Sequence, residues 1–236
     1  MWLRSDGRGP EGLRPIQFHL NYLKYAEGSV LIEMGETKVL CSATIEENVP
    51  TFLKGTGEGW VTAEYGMLPR PTITRKPRDV IRGKQDGRSV EIQRFLGRCL
   101  RSVVDRKALG ERTIILDADV IQADGGTRTA AVTGSFLALV QAVRWLRSNQ
   151  VITTPQPVVR DWLAAVSVGI VSGRMLLDLT YEEDSEAEVD GNIAMTSSGE
   201  VADIQITGEK RVITLEELQG LIQLAQKGIN LLIEKQ

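Results

Sequence analysis

Apolar positions along the chain fall either in alternation or at helical spacing, in blocks punctuated by glycine, and the blocks predict the elements. Val30 to Met34 and Thr37 to Ile45, joined by Gly35-Glu36, read as the two strands of a hairpin, and Gly59 to Tyr65 reads as a further strand. Ile92, Phe95, Leu96, Cys99, Leu100, Val103 and Val104 share one helical face while Arg94, Arg98 and Arg101 line the other, with Gly110 as the expected stop. Arg112 to Ile121 follows as a strand with Asp117 and Asp119 on one side, and residues 129–147 form a second helix behind the turn Asp124-Gly125-Gly126-Thr127-Arg128. Strands return at 164–171, 175–179, 192–196 and 201–206. A last helix opens at Thr214 with the capping box Thr214-Leu215-Glu216-Glu217, its apolar face running through Leu218, Leu221, Ile222, Ala225, Ile229 and Leu232. Between Pro69 and Gly87, three prolines, two glycines and many arginines without apolar period predict a long exposed loop. This order predicts an α+β chain, read as one domain over 1–236, with Thr153 to Pro157 as its only linker-like break.

Composition narrows the class. With 42% hydrophobic and 25% charged residues the 236-residue chain has the makings of a globular core, which excludes a disordered or fibrous protein. No uninterrupted apolar run approaches the ~18 residues of a membrane span, and Met1 to Asp6 has no signal-like apolar stretch, so a soluble, cytoplasmic protein without a membrane partner is expected. Cys41 and Cys99 lie in apolar periodic segments and read as small buried hydrophobes. The single histidine, His19, reads as a satisfied strand residue, and two cysteines with one histidine exclude a zinc finger.

The net charge of −3 hides an uneven distribution: residues 70–112 hold 13 Lys and Arg against five Asp and Glu, a net +8, which leaves −11 for the rest. The basic window suits a polyanion. From Glu182 to Asp190, six carboxylates in nine residues could hold a divalent cation, with Asp117 and Asp119 as an alternative pair. Two segments look like anion sites. The glycines before the second helix let backbone N–H groups approach a phosphate, to which Thr127 would add a hydroxyl and Arg128 a charged fork. Lys84-Gln85-Asp86-Gly87-Arg88 places Arg88 beside the other helix N-terminus. No P-loop pattern and no Ser-His or Cys-His nucleophile pair is present.

Longer segments carry a resemblance. Gly59-Trp60-Val61-Thr62-Ala63-Glu64-Tyr65-Gly66-Met67-Leu68-Pro69-Arg70, Glu91-Ile92-Gln93-Arg94, Gln122-Ala123-Asp124-Gly125-Gly126-Thr127-Arg128-Thr129-Ala130 and Glu183-Asp184-Ser185 are together similar to the ribonuclease PH family, phosphate-dependent 3′ exoribonucleases that trim tRNA precursors. The resemblance implies a ribosomal-protein-S5-domain-2-like fold of duplicated βαβ-containing halves, assembled as a homohexameric trimer of dimers. It implies inorganic phosphate as co-substrate on Arg88, Gly126, Thr127 and Arg128, and Mg²⁺ or Mn²⁺ on the catalytic Asp184 and Asp190. It places Arg70, Arg75 and Arg78 in a loop that serves dimer contact and RNA binding. The expected reaction releases nucleoside diphosphates from tRNA precursors and other RNA 3′ ends and runs backward as nucleotidyl transfer; an inert RNA-binding ring subunit is the alternative. Two departures stand out. The family usually has Met-Asn after the second aspartate where this chain has Gly191-Asn192, and Gly-Thr-Ala-Glu-Gly where it has Ile206-Thr207-Gly208-Glu209-Lys210. Gly191 adds backbone freedom, whereas the β-branched Ile206 demands ordinary backbone.

Overall fold

The computed structural model describes residues 4–236, apart from the side chains of Val80 and Arg82; of the N-terminal stretch read above, Met1 to Leu3 lie outside it. Two sheets enclose the core. The first has the order β1-β2-β3-β5-β4, built from β1 (Ile16–Leu20), β2 (Gly28–Met34), β3 (Thr37–Glu46), β4 (Trp60–Met67) and β5 (Thr113–Gln122). Its pairs are antiparallel except β4 with β5, which run parallel. The second is antiparallel throughout, in the order β7-β6-β8-β9, from β6 (Leu163–Val171), β7 (Arg174–Leu177), β8 (Val189–Thr196) and β9 (Val201–Gly208).

Helices fill and cover the layers. α2 (Gly87–Ser102) packs on β4, and α4 (Thr127–Ser148) lies against β2, β3 and β5 on one side and β6 on the other. α6 (Leu215–Lys235) covers β6, β7 and β8 from outside. Their sequences differ accordingly. α2 and α6 are amphipathic, whereas α4 buries every residue from Thr129 to Leu139, all round its circumference, because sheets meet it on two sides. By length and composition α4 could cross a membrane, but most of it is buried between the sheets, the position of a core helix. One continuous buried cluster runs from Val30 and Ile32 through Phe95, Leu96, Phe136 and Leu139 to Val166, Ile193 and Ile229.

The α+β layout and the hairpin stand as expected, His19 lies on strand β1, and the strand expected at Gly59 to Tyr65 is β4, which starts one residue later at Trp60. His19 is half-exposed on β1, its Nε2 3.0 Å from Glu33 Oε1. Both thiols are buried, and burial pushes their pKa up, that of Cys41 to about 12. Three details differ from the pattern. The helix from Ile92 ends at Ser102 rather than at Gly110: Asp105 accepts from the N–H groups of Lys107 and Ala108 and starts a separate turn, α3 (Arg106–Leu109), which Gly110 closes. The 69–87 loop contains a helical turn, α1 (Asp79–Arg82), ended by Gly83 at φ +67°. The acidic stretch forms α5 (Tyr181–Glu186), because Thr180 and Glu183 make a capping box.

The two departures meet. Gly191 on β8 and Ile206 on β9 are direct cross-strand partners. A Cβ at Gly191 would lie 2.8 Å from Ile206 Cγ1, and Ile206 is not among the positive-φ residues. The small and large residues have therefore exchanged sides of one pair, and β9 keeps ordinary extended backbone.

Candidate active site

The turn after β5 sets the site. Gly125 (φ +73°) and Gly126 (φ +64°) are consecutive left-handed residues, the conformation glycine accepts without cost from a Cβ. Space demands glycine too: a Cβ at Gly125 would come within 2.5 Å of the Leu179 carbonyl oxygen, and one at Gly126 within 2.9 Å of Arg14 Nη2. The turn is thereby pressed against the backbone that leads into α5, so the first half of the chain touches the second here. Thr37 Oγ1 donates to the Gly125 carbonyl at 2.7 Å and accepts from the Asp124 N–H at 2.9 Å. Beneath, Tyr65 Oη bonds Thr127 Oγ1 at 2.9 Å, and burial holds the phenol above its ordinary pKa.

A buried ion network fixes this turn to the second half. The Asp178 carboxylate accepts from Arg14 N–H at 2.8 Å, Arg14 Nε at 3.1 Å and Arg14 Nη2 at 2.6 Å, and Arg14 Nη1 donates to the Asp124 carbonyl. Burial opposes the Arg14 charge, but the Asp178 carboxylate overrides it and raises the guanidinium pKa. Arg4 pairs with Glu183 and donates to the Leu177 carbonyl at 2.6 Å, so α5 is held by the N-terminal segment. Burial works against the Glu183 charge, yet the Arg4 hydrogen bond and the Thr180 N–H keep its pKa below the usual value.

These supports frame a cleft of about 270 Å³, lined by Met67, Thr72, Arg88, Ala123, Gly125, Gly126, Thr127, Arg128, Ser167, Tyr181, Asp184, Asp190 and Asn192. All six residues assigned from the sequence to phosphate and catalysis line it. Among the described residues no side chain caps the N-terminus of α4, whereas α5 and α6 have full capping boxes, so the first N–H groups of α4 remain available to an anion. Arg88, in the first turn of α2, faces the same space. Arg128 is already oriented: Nη1 donates to Gln205 Oε1 at 2.7 Å and Nη2 lies 3.4 Å from Glu91 Oε2.

Opposite this positive wall, Asp184 on α5 and Asp190 on β8 form the negative one. Burial first, then the charge and hydrogen bond of Asp184, raise the Asp190 pKa to about 7, with Arg128 opposing. Two carboxylates in such contact carry negative charge that Arg128 offsets only in part, and they fit a divalent ion that takes one or two carboxylates together with substrate oxygens. Asp117 and Asp119 do not line the cleft; they lie on β5, where burial, Glu64 and Asp119 raise the Asp117 pKa. Arg70, Arg75 and Arg78 are exposed on the 69–87 loop.

Sequence reasoning missed Ser167, Asn192 and Gln205. Their signal was strand alternation: Ser167 and Asn192 are cross-strand partners on β6 and β8, and Asn192 pairs in turn with Gln205 on β9. These three polar residues form a row across the sheet, with Ser167 and Asn192 lining the cleft and Gln205 holding Arg128 beside it.

The model of the 3′ exoribonuclease family matches twice, its domain 1 over residues 12–144 and its domain 2 over residues 161–228. Ribonuclease PH of Moorella thermoacetica is 55% identical over 231 residues, 98% of this chain and 92% of that protein. The chain belongs to the ribonuclease PH family of 3′ exoribonucleases. Membership carries the family's activity, phosphate-dependent removal of nucleotides from RNA 3′ ends. The fold is shared more widely. An Archaeoglobus fulgidus exosome structure with RNA bound to the active site superposes with a TM-score of 0.84 at 23% identity, over 99% of this chain and 92% of that one. An archaeal exosome core gives 0.76 at 21%, over 99% and 90%. The break at Thr153 to Pro157 falls between the two matched regions.

Proposed function

We propose that the cleft trims the 3′ ends of tRNA precursors and other RNAs by phosphorolysis, with Arg88, the Gly126–Thr127 backbone and Arg128 holding inorganic phosphate and Asp184 and Asp190 as the catalytic carboxylates. The observation that carries the assignment is the uncapped N-terminus of α4 meeting Arg88 and Arg128 directly opposite the two aspartates. Arg88 and Arg128 position the phosphate and lower its effective charge, so one of its oxygens can approach the last internucleotide phosphorus in line. The attacking oxygen bonds to that phosphorus, the 3′ oxygen of the preceding nucleotide leaves, and a nucleoside diphosphate forms. Gln205 keeps the Arg128 fork turned toward the reacting group. Mg²⁺ or Mn²⁺ held by Asp184 and Asp190 would neutralise charge on the reacting phosphoryl group.

The broken phosphodiester is replaced by a phosphoanhydride, so the reaction runs in either direction according to the concentrations of phosphate and diphosphate. On this reading the whole chain acts as one domain whose halves each supply one wall. It assembles as a hexameric ring through the exposed loop of Arg70, Arg75 and Arg78, which also meets RNA. Arg88→Ala tests the phosphate assignment. It removes a charge-assisted contact of ~1.5–3 kcal/mol, so the KM for phosphate rises by ten-fold or more while RNA affinity stays within a few-fold. An unchanged phosphate dependence with weakened RNA binding would move Arg88 to the RNA path.

A further inference from the structure

At the far end of α2 from the cleft lies a second concentration of positive charge that the reaction does not use. Arg88 stands in the first turn of the helix and Arg101 in the last, roughly 20 Å apart at 1.5 Å per residue. Arg101 lies over the Trp60 ring, its guanidinium carbon 4.5 Å from the centroid, and its Nη1 donates to the Val61 carbonyl at 2.8 Å. The helix makes room for this posture at Gly97, where a Cβ would come within 2.8 Å of Arg101 Nη1. Arg106 approaches the same ring at 5.9 Å. Together with Lys107 and Arg160 these arginines line an open pocket of about 550 Å³.

The charges there do not balance. Arg106 is neutralised by Glu58 at 2.6 Å and Arg160 by Asp105 at 2.9 Å. Arg101 and the exposed Lys107 have no carboxylate partner among the described residues. The Trp60 ring under Arg101 and Arg106 links the pocket to a second aromatic: Phe52, 65% exposed, meets Trp60 edge to face with centroids 5.4 Å apart. Between this pocket and the cleft, the exposed side of α2 presents Arg94 and Arg98, the latter paired with Asp203 at 2.7 Å. Excess cations beside an exposed aromatic ring are the combination that binds single-stranded nucleic acid, with the charge following the backbone and the ring stacking on a base.

We propose that this pocket is a second RNA-binding site, which grips the single strand upstream of the nucleotides being removed, with Arg101 and Lys107 on backbone phosphates and Phe52 against a base. The proposal rests on an RNA 3′ end occupying the cleft. RNA long enough to span α2 would engage both ends of the helix, whereas a short RNA would reach the cleft alone, so the enzyme would favour long ends and weaken its hold as the end shortens.

The test is fluorescence anisotropy with one short and one long unstructured RNA, on the full protein and on Phe52→Ala, Lys107→Gln and Arg101→Gln, across a range of salt, with the size of the assembly followed by light scattering. Phe52→Ala is expected to lower the affinity for the long RNA about ten-fold or more and leave the short one unchanged. Lys107→Gln is expected to reduce the log–log salt slope for the long RNA by about 0.7, the value of one single-strand phosphate contact. Phe52 and Lys107 are exposed, so these two variants keep the test valid even where Arg101→Gln disturbs folding. Equal effects on both RNAs, or none on either, would overturn the proposal. So would a changed assembly size with an unaltered ratio of long to short affinity, which would make the pocket a subunit contact. Binding is the readout, so the result stands independently of turnover in the cleft.

Discussion

Exchanging Gly191 and Ile206 back to the pattern of their relatives tests whether the two departures are one event. In Gly191→Met the new Cβ would stand 2.8 Å from Ile206 Cγ1 and 3.4 Å from Val168 Cγ2. Ile206 is stiff about χ1 and packs against the main core, so the crowding costs ~1–3 kcal/mol. Ile206→Gly removes a half-buried side chain and puts glycine inside a strand, together about 2 kcal/mol. In the double variant the methionine enters the space that the isoleucine vacates, and the two losses should cancel in large part. Urea unfolding of all four proteins gives the cycle from the midpoints at constant slope. The expected coupling is at least about 1 kcal/mol in favour of the double variant, within the range for residues in contact. Losses that add to within about 0.5 kcal/mol would show that the cross-strand contact does not link these positions.

Two further outcomes follow from the charges. Asp178→Asn keeps a residue that tolerates the φ of +53° found there but strips the buried Arg14 of its counter-charge, so unfolding free energy should fall by ~3–5 kcal/mol and the KM for phosphate should rise; a loss under about 1 kcal/mol would refute the network's role. Without a cation, the raised pKa of Asp190 means that the folded state binds a proton the unfolded state has released, so this group's contribution to stability is greatest below its unfolded value of 3.8 and is lost as pH rises toward about 7. Saturating Mg²⁺ should therefore raise the Tm more at pH 8 than at pH 5, where protons compete for the ligands, and Asp190→Asn should abolish both the difference and turnover.

Much of this architecture was legible in local pattern, because hairpin alternation, the α2 face and the α6 capping box are set within a few residues. The errors have a common source. Apolar spacing that continues through Val103 and Val104 points to Gly110 as the end of α2, while the actual break comes from Asp105 capping a new turn, a contact that spacing does not register. The chain's two anion segments and the pair Asp184 and Asp190 could be named individually, but their convergence depends on α4 lying between the sheets and on Gly125 pressing against Leu179. The pairing of Arg14 with Asp178, 164 positions apart, has no signal in local pattern, since a buried pair of that span is created only by the fold. Gln205 could have been suspected, being polar on the cleft face of a strand whose neighbours on that row are Asn192 and Ser167.

The central claim is that phosphate, not water, attacks the RNA 3′ end in the cleft between α4 and the two aspartates. Its most direct test incubates the purified protein with a tRNA precursor, a divalent cation and labelled inorganic phosphate, and separates the products by chromatography. Label recovered in nucleoside diphosphate, with release that stops when phosphate is withheld, is the predicted result. Unlabelled nucleoside monophosphate, formed equally well without phosphate, would contradict it and make the enzyme a hydrolase.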